Sequence, residues 1–121
     1  MTLPDVLEAL ATRLPDRFSL SEGRAGGTVK LLGRDDEADE WINLGWWPET
    51  GGGYVVRDRD LRALLEQECE ARGWQWDVAT WTTMGKPYAA AVTLDERYEG
   101  EGDTPAEALC LALLAALEAQ P

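Results

Sequence analysis

Residues 104–117 constrain the fold more than any other part of the chain. Thr104 is placed to cap free backbone N–H groups, and Pro105 falls at the first helical position, where its missing N–H costs nothing. Glu107 completes a capping box. The body of this helix is apolar nearly all round. At about 100° per residue, Leu109, Leu113, Leu114 and Leu117 form a leucine face with Cys110, and Ala108, Ala112, Ala115 and Ala116 form a separate alanine face. Glu107, Leu111 and Glu118 share the strip that remains. A helix with two apolar faces is an internal or interface element, so the fold must offer it a sheet and a second close neighbour. The second neighbour is expected to be another layer of the same chain or the same helix of a second copy, which makes a homodimer one expected arrangement.

The rest of the chain supplies the other elements. Leu3, Val6, Leu7, Leu10 and Leu14 stand at helical spacing, with Thr2 as cap, Pro4 in the first turn and Pro15 as the stop, which predicts a helix over 3–14. Alternation predicts strands at 17–21, 28–32 and 41–46, separated by a glycine-rich turn and by the polar, acidic segment 34–40. Pro48 and three successive glycines make 47–53 a loop. A short extended lead-in at 54–57 then reaches Asp58, which caps a helix over 59–72 bearing Leu61, Leu64, Leu65 and Cys69 and ended by Gly73. Residues 74–82 and 88–95 read as a hairpin, with Trp74, Trp76 and Val78 on one side and Ala79, Ala89 and Ala91 on the other. A sheet with one bulky and one small face is expected to be covered on both sides, a helix lying close on the alanine side. Residues 95–103 read as an acidic loop. The expected architecture is a single α+β domain over 1–121, a layered helix/antiparallel sheet/helix sandwich in the order αβββαββα.

A chain of 121 residues with 45% hydrophobic content is long enough for one real core. Its 23 acidic residues against 11 basic ones give a formal net charge of -12. Such a charge repels nucleic acid and anionic membrane and attracts cationic protein surfaces in a salt-dependent way. Asp5 and Glu8 stand where a secretory signal needs positive charge, and the apolar run at 108–117 would span only about half a bilayer as a helix, so no membrane segment is expected. Cys69 and Cys110 both fall on apolar helix faces, which predicts two buried free thiols and a reducing cytoplasmic setting.

The absence of histidine removes the commonest general base, the Ser-His and Cys-His nucleophile pairs and most zinc sites. No CxxC pair is present, and the acidic clusters do not follow the ligand spacing of a calcium loop. The glycine runs at 26–27 and 51–53 match no phosphate-cradling motif. No catalytic residue, metal ligand or cofactor is therefore expected. The candidate partner-binding residues are the carboxylates Asp35, Asp36, Glu37, Asp39 and Glu40 in one acidic segment and Glu99, Glu101 and Asp103 in the other. Trp46 and Trp47 join them: adjacent side chains on an extended segment point to opposite sides, so at least one is expected to be exposed beside the glycine loop.

Residues 102–114, Gly-Asp-Thr-Pro-Ala-Glu-Ala-Leu-Cys-Leu-Ala-Leu-Leu, resemble the C-terminal signature of the phage ABA sandwich domain family, in which a hairpin leads through a Thr-Pro or Thr-Ala turn into a helix rich in Ala, Cys and Leu. The upstream order, Tyr54 before an Asp-bearing helix start and then a Trp-containing hairpin, is also similar, so the resemblance covers about residues 54–118. It implies helix, sheet, helix layering and an origin in a phage or prophage, and no catalytic residues. The functional expectation is a small acidic, non-enzymatic protein in the bacterial host cytoplasm that binds and blocks a host protein with a basic surface. An anti-CRISPR-like inhibitor of a nucleic-acid-handling defence complex is the finer form of it. The alternative is a nucleotide- or second-messenger-sequestering protein that stacks a base on Trp46, Trp47 and Tyr54, with Arg57 or Arg59 toward a phosphate.

Overall fold

The computed structural model describes residues 2–22, 27–35, 40–50, 52–80 and 85–120. Along the described chain run α1 (Leu3–Arg13), β1 (Phe18–Glu22), β2 (Thr28–Gly33), β3 (Ile42–Pro48), β4 (Val55–Val56), α2 (Asp58–Ala71), β5 (Gln75–Thr80), β6 (Tyr88–Thr93), β7 (Arg97–Gly102) and α3 (Pro105–Ala119). The α+β class and the expected order hold, with two further strands. One, β4, occupies the extended lead-in; the other, β7, lies in the stretch expected to be an acidic loop. Residues 1–64 and 65–121 form two compact units, with the sheet β1-β2-β3-β4 in the first and β5-β6-β7 in the second. All strand pairs are antiparallel.

In the first unit, α1 starts from a complete capping box. The Thr2 hydroxyl accepts from the Asp5 N–H at 3.4 Å, and the Asp5 carboxylate accepts from the Thr2 N–H at 2.9 Å. Leu3, Val6, Leu7, Leu10 and Leu14 are buried, and the helix packs along β1. The inner face of the sheet carries Phe18, Val29, Leu31 and Leu44, all buried. Gly33 has no room for a side chain there, since a Cβ would lie 2.4 Å from Leu44 Cδ1 and 2.5 Å from Leu64 Cδ1. The β2–β3 ladder contains a bulge. Leu31 pairs with Gly45 but Leu32 pairs with Asn43, which leaves Leu44 as the extra residue, and the Asn43 side-chain oxygen accepts from the Gly45 N–H at 3.1 Å. The bulge resets the alternation, so Leu44 and Trp47 share the inner face and Trp46 points outward. Residue 47 thus belongs to a strand rather than to the expected loop.

Helix α2 begins one residue before its expected start. The Arg57 carbonyl accepts from the Leu61 N–H, and Asp58 and Asp60 stand in the first turn, where the helix dipole favours negative charge. Its expected apolar stripe, Leu61, Leu64, Leu65 and Cys69, is buried. The end is a Schellman motif. Gly73, at φ +73°, donates to Glu70 O, and Trp74 donates to Cys69 O.

In the second unit the hairpin forms as β5 and β6, and β7 extends it. Two sets of residues alternate across the three strands. One contains Trp76, Val92 and Tyr98 in a row and Val78, Ala90 and Gly100 in the next; the other contains Asp77, Ala91 and Glu99 and then Ala79, Ala89 and Glu101. Helix α3, capped by the Thr104 hydroxyl accepting from the Glu107 N–H at 3.2 Å, lies along β6 and β7 on the first set. The approach is as close as backbone allows. A Cβ at Gly100 would lie 2.5 Å from Ala108 O and 2.6 Å from Ala112 N, and one at Gly102 would lie 2.7 Å from Ala108 N. The alanines of α3 therefore do pack close to the sheet, but against its glycines on the bulky side. The sheet's own alanine side is open, and Ala79 is exposed. Trp74 and Trp76, on the bulky side expected to be covered, are half-buried.

In α3, Leu109, Leu113, Leu114 and Leu117 are at most 6% exposed. Among the described residues, no helix is long and apolar enough to cross a membrane.

Candidate functional site

Two surfaces gather the candidate residues, one in each unit. In the first unit, the beginning of α1, Val29, the end of β3, Gly52 and Tyr54 line a cleft of about 360 Å³. Its apolar lining is Pro4, Val29, Trp47, Pro48 and Tyr54, and its acidic lining is Asp5, Glu8 and Glu49. No basic side chain is among its described lining residues. Trp47 is 3% exposed and fixed in the sheet opposite Val29, whereas Tyr54 is 45% exposed. The Glu49 backbone N–H donates to Gly27 O, which ties the end of β3 to the start of β2 and holds this wall in place. Asp5 is committed to its capping box: the Thr2 N–H and hydroxyl donate to its carboxylate and hold its pKa below the usual value.

The cleft corrects one expectation about the tryptophans. Trp47 is buried and cannot be a freely exposed contact residue; it serves as a wall. Trp46 is the exposed member, on the outer face between Lys30 and Val55. The two rings lie on opposite sides of one strand, so they cannot hold the same base between them.

In the second unit, the open face of the sheet carries Asp77, Glu99 and Glu101 with Arg97. Arg97 donates to Glu99 at 3.0 Å and reaches Asp77 at 3.4 Å, spanning β6 above the buried Ala91. Asp103 follows at the end of β7 and pairs with Lys86 at 3.3 Å. Glu99, Glu101 and Asp103 are all exposed. The strand alternation therefore brings two expected partner-binding carboxylates, Glu99 and Glu101, to one face and adds Asp77 to them, with Asp103 just beyond the end of β7.

The other acidic segment is flanked by a closed pair: the Arg34 guanidinium stacks on the Trp41 ring at 5.1 Å and donates to Asp16 O at 2.8 Å. Asp35 is half-buried and Glu40 is exposed, whereas Asp36, Glu37 and Asp39 lie outside the described residues. Sequence reasoning did not select Asp5, Glu8, Glu49 or Asp77. The spacing of Asp5 and Glu8 on one side of α1 was a usable signal for the first two, but their meeting with Trp47 and Glu49 depends on non-local strand pairing.

Both thiols are free and buried, and burial pushes each up to about 12, so neither is a nucleophile at neutral pH. What the two surfaces offer chemically is negative charge, in one case beside aromatic rings. Comparison with protein-family models, with curated proteins and with solved structures gives no match.

Proposed function

We propose that the protein is a non-enzymatic binding protein that acts by covering a cationic surface of a protein partner. The observation that carries this reading is the group of Asp77, Glu99 and Glu101 on an uncovered sheet face, with the exposed Asp103 following at the end of β7. The unit bearing it holds eleven acidic and three basic residues, against twelve and eight in the first unit. Carboxylates two apart on a strand repeat about every 6.7 Å, which makes a linear array of negative charge such as a nucleic-acid-binding groove receives from phosphates. Arg97 and Lys86 offset part of that charge. Their ion pairs are exposed, and pairs of that kind are weak enough to be exchanged for a partner's cations.

The finer reading is an inhibitor, in the manner of anti-CRISPR proteins, of a nucleic-acid-handling defence complex in the bacterial cytoplasm. It is supported by this charge logic. The nucleotide-sequestering alternative is disfavoured by the opposed orientations of Trp46 and Trp47 and by the acidic lining of the cleft, which repels phosphate.

The test is capture of partners from bacterial lysate on immobilised protein at about 50 and 300 mM salt, read by mass spectrometry. Recovery of nucleic-acid-binding proteins that falls steeply with salt and is lost in Glu99→Gln/Glu101→Gln/Asp103→Asn is the expected result. Recovery indifferent to salt and to the triple substitution would sink the proposal.

A further inference from the structure

We propose that the cleft beside the first turn of α1 receives an arginine side chain of the partner, its guanidinium lying against the exposed Tyr54 ring and bonded to Glu8 and Glu49. Four features of the cleft lead there. Its volume, about 360 Å³, is at the small end for ligand sites and suits one long side chain. Its walls include the exposed ring of Tyr54, whose face attracts cations, with the buried Trp47 fixing the wall beside it. Its three carboxylates are matched by no basic residue in the described lining.

The fourth feature concerns the helix end, which by itself would favour an anion. That preference is reduced by the capping box. Pro4 has no N–H, the Asp5 N–H goes to the Thr2 hydroxyl, and the Asp5 carboxylate turns back to the Thr2 N–H. With Asp5 so engaged, Glu8 and Glu49 are the carboxylates left for a ligand.

Arginine rather than lysine fits because a guanidinium is planar, weakly hydrated and able to stack on a ring while donating paired hydrogen bonds to a carboxylate. An ammonium is a compact charge that holds its water. The inference rests on the function proposed above only for the source of the arginine; the cleft itself can be tested without a partner.

The experiment is an NMR titration of the whole chain with N-acetyl-arginine methylamide, followed at the Trp47 indole N–H and the Glu8 and Glu49 amides. The lysine and citrulline counterparts are run beside it. Saturable shifts with arginine are expected, with binding weakened about tenfold or more for neutral citrulline. Glu49→Gln and Tyr54→Leu, both at exposed positions, should each weaken arginine about three- to tenfold with the spectrum of the fold retained. Equal binding of citrulline, equal binding of lysine, shifts that ignore both substitutions, or no saturable shift would each overturn the assignment. Salt-steep capture from lysate without probe binding removes this inference alone, and probe binding with salt-indifferent capture removes only the wider reading.

Discussion

The bulge at Leu44 determines what two adjacent tryptophans do. Without the extra residue, Leu44 and Trp46 would share a face and Trp47 would point outward; with it, Trp47 is the buried ring. Trp47→Ala should therefore cost about 3–5 kcal/mol in urea unfolding, and Trp46→Ser about 1 kcal/mol or less. Comparable losses at the two sites would show the register to be wrong. The cysteines are governed by burial in the same way. Native protein at pH 8 is expected to leave Cys69 and Cys110 unreacted with a thiol reagent, with both reacting once the chain is unfolded in urea. The linkage has a definite sign. Because burial raises each folded thiol to about 12 from an ordinary value of 9.0, the unfolded chain releases these protons first as pH rises. The stability they contribute is complete below about pH 9 and is lost progressively toward pH 12. A Cys69→Ala/Cys110→Ala variant should show a shallower alkaline decline of melting temperature than the parent; an equal slope would remove the thiols from it.

At the scale of elements, α3 and β7 form one interlocked pair. The helix presents Ala108 and Ala112, the strand presents Gly100 and Gly102, and the backbones meet with no space for a methyl group. Gly100→Ala should destabilise the fold by about 3 kcal/mol, since its new Cβ meets helix backbone that cannot rotate away, and a loss below about 1 kcal/mol by chemical denaturation would contradict the packing. This pairing also explains why β7 was not legible in the sequence. Arg-Tyr-Glu-Gly-Glu-Gly has the acidic and glycine content of a loop, and its glycines become intelligible as strand residues only when the helix they admit is in view. The helices, by contrast, carried their own punctuation in Thr2, Gly73 and Thr104, and each formed within a residue or two of its expected limits. Capping groups act on backbone a few residues away, so their effect can be read locally.

Across the whole molecule the charge is unevenly shared, and the unit at 65–121 holds three basic residues against eleven acidic ones. Binding through it should fall steeply with salt because exposed charges are screened within about a Debye length, which is why salt dependence is the discriminating measurement for the proposed function. The sequence by itself determined the α+β class, the helices and their ends, the buried thiols and the excess of negative charge, because capping, periodicity and composition are local or additive properties. The tertiary structure alone decided that Trp47 is a wall and Trp46 a surface ring. It also decided that Glu99 and Glu101 share one face with Asp77, and that Asp5, Glu8 and Glu49 surround an aromatic cleft. Each of these depends on strand register or on segments more than 20 residues apart in the sequence, and a shift of one residue in pairing turns every following side chain to the other side.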